Sequence, residues 1–455
     1  MHKRHNQGVK NVVYLWFISL IAFSLLFGCQ ADGDKTDERA ENRAADAKQT
    51  KGTNSTGANR TDDQKQTQGR KEQSERQQKQ PSQSKPKPPA DPLKAQISKM
   101  SLEEKIGQLV FTGVDGYTSD EHAKQLIQTY RVGGIILFER NIQDAEQTRT
   151  LLNALKKLNA KNKVPLFFGV DEEGGTVSRM PDSFVPLPTS ERIGTVNDRT
   201  FSYEIGRVIA REIKTLGFNT NFAPVLDINS NPDNPVIGDR SFGATAKVVS
   251  KLGLATLQGM KAERVIPVVK HFPGHGDTSV DSHVGLPVVT HDVERLDAFE
   301  LVPFKQAIAQ GADAVMIAHI LLPQLDPDHP ASLSKAVITD LLREQLTFGG
   351  VVVSDDLTMG AIVEQYDIGE AAVTAVAAGT DLLLVCHEYD NTVAVIEALR
   401  KAVADRTLSE QRIDESVYRI LALKRAYRIT DLPVDRVGVA SINREIEQLL
   451  QKYVP

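Results

Sequence analysis

The sequence has little cysteine and no excess of positive charge. Its 455 residues include two cysteines, one tryptophan and 54 lysines and arginines against 59 aspartates and glutamates. With Cys29 expected to carry a lipid, Cys386 has no thiol to pair with, so no internal disulfide can form. Charges of both signs are interspersed, which removes the basic stripe that a nucleic-acid partner requires. No histidine ends the first apolar run, "FTGVDG", so a barrel metal site built on a His-x-His pair is missing. The same stretch is not a glycine-rich dinucleotide turn, which argues against a doubly wound open sheet.

What is present begins with an export leader. Lys3, Arg4 and Lys10 precede the apolar run "NVVYLWFISLIAFSLLFGC", and these flanks suit a signal of residues 1–28. Leu26, Phe27, Gly28 and Cys29 resemble the lipobox of bacterial lipoproteins, which implies cleavage before Cys29 and a lipid on its sulfur. An uncleaved membrane anchor is the other reading, and both place the chain outside the cytoplasm. Residues 29–92 are rich in Gln, Lys, Ser, Asp and Pro. A segment so poor in large apolar residues cannot offset its ordering entropy and is expected to be a disordered tether.

From Ser101 the pattern is globular. Ser101 and Glu104 form a capping-box signature. Eight short apolar runs follow, from "QLVFTGV" through "GGVVVSDDL" to "TDLLLVC", separated by helical stretches. Continuous apolarity suits strands covered on both faces, hence a parallel sheet. Residues 202–217, 246–263, 294–311 and 334–346 read as helices. Eight strand–helix units predict a (β/α)8 TIM-type barrel over residues 93–430. Residues 431–455 are then a C-terminal tail too short for a second domain.

Polar residues gather at the ends of the apolar runs: Glu139 and Arg140, Asp171, Asp227, Lys270 and His271, His319, Asp355 and Asp356, and His387. Barrel enzymes build their sites on that rim. "KHFPGHGDTSVDSH", residues 270–283, concentrates His271, His275 and His283 with Asp277 and Asp281. Pro273 and Gly274 prevent His271 and His275 from sharing a helix face on one metal, so a metal cage is not expected. Asp281 beside His283 can instead orient a proton-donating imidazole. Asp355 follows a buried run, where a carboxylate can serve as nucleophile or merely cap the next helix. Asp227 and His319 read as supporting residues, His275 and Asp277 as loop-shaping, and Cys386 as a small buried hydrophobe.

"VDEEGG", "NPVIGDRSFG", "KHFPGHGDTSVDSH" and "VVVSDDLTMGAI" together resemble glycoside hydrolase family 3, in particular its bacterial β-N-acetylglucosaminidases, over residues 102–427. The resemblance implies Asp355 as the nucleophile, with Asp356 a neighbour, and His283 as general acid/base in a dyad with Asp281. It implies sugar contacts at Asp171, Arg179, Arg240, Lys270 and His271. Relatives often carry Gln where this chain has Glu172. The expected reaction is retaining removal of terminal β-linked N-acetylglucosamine from cell-wall fragments such as muropeptides, by double displacement. The loop bearing His283 is expected to close over bound sugar. A β-glucosidase or β-xylosidase of the same family, phosphorolysis in place of hydrolysis, and a lipid-anchored sugar-binding protein without turnover remain the alternatives. No cofactor or metal is expected, and the chain is read as a monomer.

Overall fold

The computed structural model describes residues 91–454. The expected leader, the lipid-bearing Cys29 and all but the last two residues of the expected tether lie outside the described residues.

Eight strands form one closed barrel: β1 (Val110–Gly113), β2 (Gly134–Ile136), β3 (Phe167–Val170), β4 (Thr220–Asn221), β5 (Ile266–Phe272), β6 (Ala314–Ile317), β7 (Val351–Asp356) and β8 (Leu382–Val385). Each falls within one of the eight apolar runs. Neighbours pair in parallel around the ring, and β8 closes it by pairing with β1, Val110 opposite Leu383. Closure excludes the open doubly wound sheet. Nearly every strand residue is buried, as sheets covered on both faces require. Phe111 stacks with Phe167 at 6.1 Å and meets Phe222 edge-on at 5.4 Å, filling the space between β1 and β4.

The helices start where their caps dictate. Ser101 accepts from the Glu104 amide (3.2 Å), and Glu104 accepts from the Ser101 amide (2.9 Å), opening helix Leu102–Gln108. The helix expected over 294–311 is in fact two, Val293–Ala298 and Val302–Ala309. Pro303 is the cause: its ring cannot follow an unbroken turn, but it is tolerated in the first turn of a new helix. The run expected as strand four forms a continuous strand only at Thr220–Asn221 and pairs again at a single bridge, Val225 with Lys270, because Pro224 between them lacks a donor for the ladder.

Helix Glu410–Ala426 is fastened beneath the barrel, at the N-terminal ends of its strands. Lys424, from helix Glu410–Ala426, donates to Gln108 Oε1 and to the Gly133 carbonyl, both at 2.8 Å, and lies 4.5 Å from the centre of the Phe167 ring. Its burial pushes its pKa down to about 7. Asp381, fully buried at the start of β8, receives Arg343 (2.6 Å), Arg419 (3.0 Å) and Arg412 (3.5 Å). Ile413, Val417, Ile420 and Leu421 turn inward on the same helix, as its apolar spacing anticipates. Within residues 431–455, Val439–Tyr453 forms a helix. It packs on helix Arg199–Leu216 through Ile442, Ile446 and a Tyr453–Phe201 stack at 4.9 Å.

Candidate active site

The C-terminal ends of the strands surround a cavity of about 330 Å³. Seven of the eight residues assigned to catalysis or sugar binding line it: Asp171, Arg179, Arg240, Lys270, His271, His283 and Asp355. The eighth, Asp281, stands behind His283.

Asp355 and Asp356 close β7 with different occupations. Asp356 Oδ1 accepts from the amides of Thr358 and Cys386, both at 3.0 Å, and Oδ2 from Thr358 Oγ1 at 2.7 Å. It ties the end of β7 to that of β8 and shapes the following turn. Among the described residues Asp355 accepts only from the Asp356 amide, at 2.9 Å, and its carboxylate otherwise faces the cavity. The cap reading therefore fails for Asp355: the next helix, Gly360–Val363, is entered from Met359 without a side-chain cap. Burial acts to raise the Asp355 carboxyl. The imidazoles of His319 and His271, the Asp356 amide and the Lys270 ammonium outweigh it and hold the group below its usual range.

His319 supports this strand end from below, fully buried. Its Nε2 donates to the Asp356 carbonyl at 2.9 Å, and Nδ1 meets Ser332 Oγ at 2.6 Å. Burial lowers its pKa. Asp227 plays the matching part under His271, with Nδ1 and Oδ2 2.7 Å apart, and also accepts from the His275 amide at 2.7 Å. His275 is pushed down to about 4 by burial and the His271 charge, and its ring bonds Thr278 and Ser282 within its own loop. Asp277 pairs with His291 at 2.6 Å. These four act as shaping groups, and no group of three potential metal ligands converges among the described residues.

Asp281 and His283, the pair expected to orient and carry a proton, sit on the long loop after β5. Asp281 Oδ1 accepts from the His283 amide and lies 2.8 Å from His283 Nδ1, which leaves Nε2 as the outward nitrogen. Burial opposes ionisation of Asp281, but the amide, ring and charge of His283 bring its carboxyl below the ordinary range. The imidazole is 66% exposed, so it stands at the cavity mouth and not in its floor. The loop rests on Gly360, where an added Cβ would lie 2.7 Å from the His283 carbonyl oxygen. Any side chain there would displace His283.

Across the cavity, four charges lock together. Lys270 Nζ lies 2.7 Å from Asp171 Oδ1 and 2.8 Å from Glu173 Oε1. Arg240 embraces Glu173 through Nε (2.9 Å) and Nη2 (2.8 Å). Burial would neutralise Glu173, yet the Lys270 and Arg240 charges hold it well below the carboxylate range. Two cations and two anions cancel, a condition for burying charge. Glu173 is the residue that reading the sequence missed. A signal existed: residues 171 and 173 share one face of an extended chain and residue 172 the other. Arg179 differs from its partners, since its guanidinium reaches only the Ser178 carbonyl (3.2 Å) and is otherwise directed to the cavity.

Glu172 turns away, fully buried. It accepts from Ser178 Oγ (2.7 Å) and the amides of Arg179 (2.8 Å) and Gly174 (3.2 Å), clamping the loop that carries Asp171 and Arg179. Burial prevails over those bonds and pushes it up to about 7. Glu212 adds a second buried carboxyl, raised by burial and by the charge of Glu172, with Oε2 unpartnered among the described residues. Below pH 4.5 both folded and unfolded chains hold the Glu172 proton. As pH rises to about 7, only the unfolded chain releases it freely, so stability falls across that window. Glu172→Gln should therefore raise stability at pH 8 by roughly 1–2 kcal/mol, less the one acceptor it loses. It should give no gain at pH 4. Urea unfolding at the two pH values checks this, and an equal gain at both would contradict it.

The glycosyl hydrolase family 3 N-terminal domain model matches residues 101–423. The chain belongs to glycosyl hydrolase family 3. Beta-hexosaminidase A of Pseudoalteromonas piscicida is 36% identical over 343 residues, which are 70% of this chain and 56% of that protein. The beta-hexosaminidase of Idiomarina loihiensis is 35% identical over 313 residues, 68% of this chain and 91% of its own. Among solved structures, a family 3 beta-N-acetylglucosaminidase from Paenibacillus sp. superposes with a TM-score of 0.74 at 44% identity, covering 78% of this chain and 69% of that one. The barrel is thus that of a family 3 glycoside hydrolase, and Cys386, buried at the edge of its cavity with a thiol raised by burial, takes no nucleophilic part in it.

Proposed function

We propose that this family 3 hydrolase is a retaining exo-β-N-acetylglucosaminidase that trims terminal β-linked N-acetylglucosamine from cell-wall fragments. The observation that carries the reading is that one small cavity holds an unencumbered carboxylate, Asp355, and an imidazole, His283, whose Nδ1 is already engaged by Asp281. The names of the relatives support the amino sugar as substrate.

Asp355 attacks the anomeric carbon while His283 Nε2 gives its proton to the departing oxygen, leaving a glycosyl ester on Asp355. His283, now neutral, takes a proton from water, which opens the ester with net retention. Asp171, Lys270 and Arg240 are pre-oriented by their mutual ion pairs and can meet sugar hydroxyls without rearranging, with His271 held by Asp227 and Arg179 free at the rim. With His283 at the mouth, the loop after β5 brings the donor over bound sugar. Turnover of p-nitrophenyl β-N-acetylglucosaminide well above that of the β-glucoside is expected, and the reverse order would overturn the amino-sugar reading.

The leader and Cys29 support display outside the cytoplasm on a lipid anchor. Fatty-acid labelling of the chain, absent from Cys29→Ser, is the expected result, and labelling retained by that variant would remove the anchor.

A further inference from the structure

Between Asp281 and His283 stands Ser282, which has no part in either chemical step. It is buried, although the side chains on both sides of it are open to solvent. Two bonds hold it in place. Its Oγ lies 3.2 Å from His275 Nε2, and its carbonyl accepts from the Ala361 amide at 3.2 Å. The first contact reaches back toward the end of β5, and the second reaches helix Gly360–Val363, which follows β7 and its Asp355. Among the described residues, these two are the hydrogen bonds that leave the stretch 279–286. The others, from the amides of His283, Val284 and Gly285 and from the His283 ring, all end on Asp281.

The Asp281–His283 pair is local, so it orients the ring wherever the loop lies and cannot by itself fix the distance from His283 to Asp355. That distance depends on what Ser282 holds. His275 is a firm post, because every polar atom it has is engaged. Its amide donates to Asp227 Oδ1 at 2.7 Å, its carbonyl accepts from Asn234 Nδ2 at 2.9 Å, and Nδ1 lies 2.7 Å from Thr278 Oγ1. The next residue, Gly276, packs so closely that an added Cβ would lie 1.8 Å from the Ile228 carbonyl oxygen. A hydroxyl can donate or accept, so Ser282 serves either tautomer of the His275 ring, and alanine serves neither.

We propose that Ser282 is a positioning residue for proton transfer: its bonds to His275 and to the Ala361 amide set where His283 stands relative to the bond being cleaved. Closure of the loop over sugar turns about this point. The inference rests on the hydrolase reading with His283 as proton donor, and goes beyond it by naming the contact that fastens the donor's loop to the barrel.

The test compares kcat/KM of the whole chain on p-nitrophenyl β-N-acetylglucosaminide and on the β-1,4 disaccharide of N-acetylglucosamine. Ser282→Ala should slow the disaccharide about tenfold and the aryl glycoside by no more than about twofold, since p-nitrophenolate departs without a proton. Ser282→Thr, which keeps the hydroxyl, should recover most of the disaccharide rate. In the His283→Gly background, Ser282→Ala should cost less than about twofold on either substrate, because the group it positions is gone. Gly360→Ala presses on the same seat from the other side, within 2.7 Å of the His283 carbonyl oxygen, and should give the same selective loss even if Ser282→Ala folds poorly. Equal losses on the two substrates, or a tenfold loss that persists in the His283→Gly background, overturn the positioning role and leave the hydrolase intact. If His283→Gly itself loses equally on both substrates, or the native enzyme cleaves neither, the donor reading has failed and the inference goes with it.

Discussion

Asp355→Asn is expected to lower kcat on p-nitrophenyl β-N-acetylglucosaminide by on the order of 10⁴-fold, with a thermal midpoint close to that of the native chain. The amide cannot form the glycosyl ester, but its oxygen can still accept from the Asp356 amide, the one protein hydrogen bond the carboxylate makes. Chemistry is lost and structure kept. The neighbouring change should do the opposite kind of damage, because Asp356 satisfies two amides and a hydroxyl across two strands. Asp356→Ala leaves buried donors unpaired, which costs about 1–3 kcal/mol for each. Comparing kcat and melting point for the pair separates attacker from scaffold. A loss of less than tenfold in Asp355→Asn would mean that the nucleophile lies elsewhere.

His283→Gly is expected to slow cleavage of a disaccharide by about 10²–10³-fold, the usual worth of a positioned proton donor. An aryl glycoside whose leaving group departs without protonation should lose much less in the first step. Ester opening then becomes limiting, and a burst of p-nitrophenol should precede slow turnover. Because the imidazole stands on an exposed loop and bonds only Asp281, its removal should leave stability nearly unchanged. Equal losses for both substrates would argue against proton donation.

The barrel could be read before any coordinates, since buried parallel strands need continuous apolar runs and all eight are present. Which residues line the cavity was legible where a residue type and its place at a strand end sufficed, as with Asp355 and Lys270. It was not legible where contacts between distant segments decide. Glu173 stood beside Asp171 in "DEEGG", but its importance depends on Lys270 arriving from β5 and Arg240 from the short turn Gly238–Arg240. The division between Asp355 and Asp356 depends on the Cys386 amide, thirty residues on. Two local signals were also under-read. Pro303 inside an apolar period broke a helix into two, and the spacing of Ile442 and Ile446 within the supposed tail was that of a helix with a buried face.

The pin made by Lys424 bears on how the molecule comes to exist. Its ammonium reaches the residues that introduce β1 and β2, and β8 must lie beside β1 before the ring is complete. A growing polypeptide therefore holds seven open strands, with their apolar faces wet, until β8 at Leu382–Val385 has emerged, and the Lys424 pin comes later still. Synthesis halted before residue 382 leaves an unclosed sheet with two sticky edges, and a chain interrupted there is a substrate for chaperones and proteases before it is an enzyme.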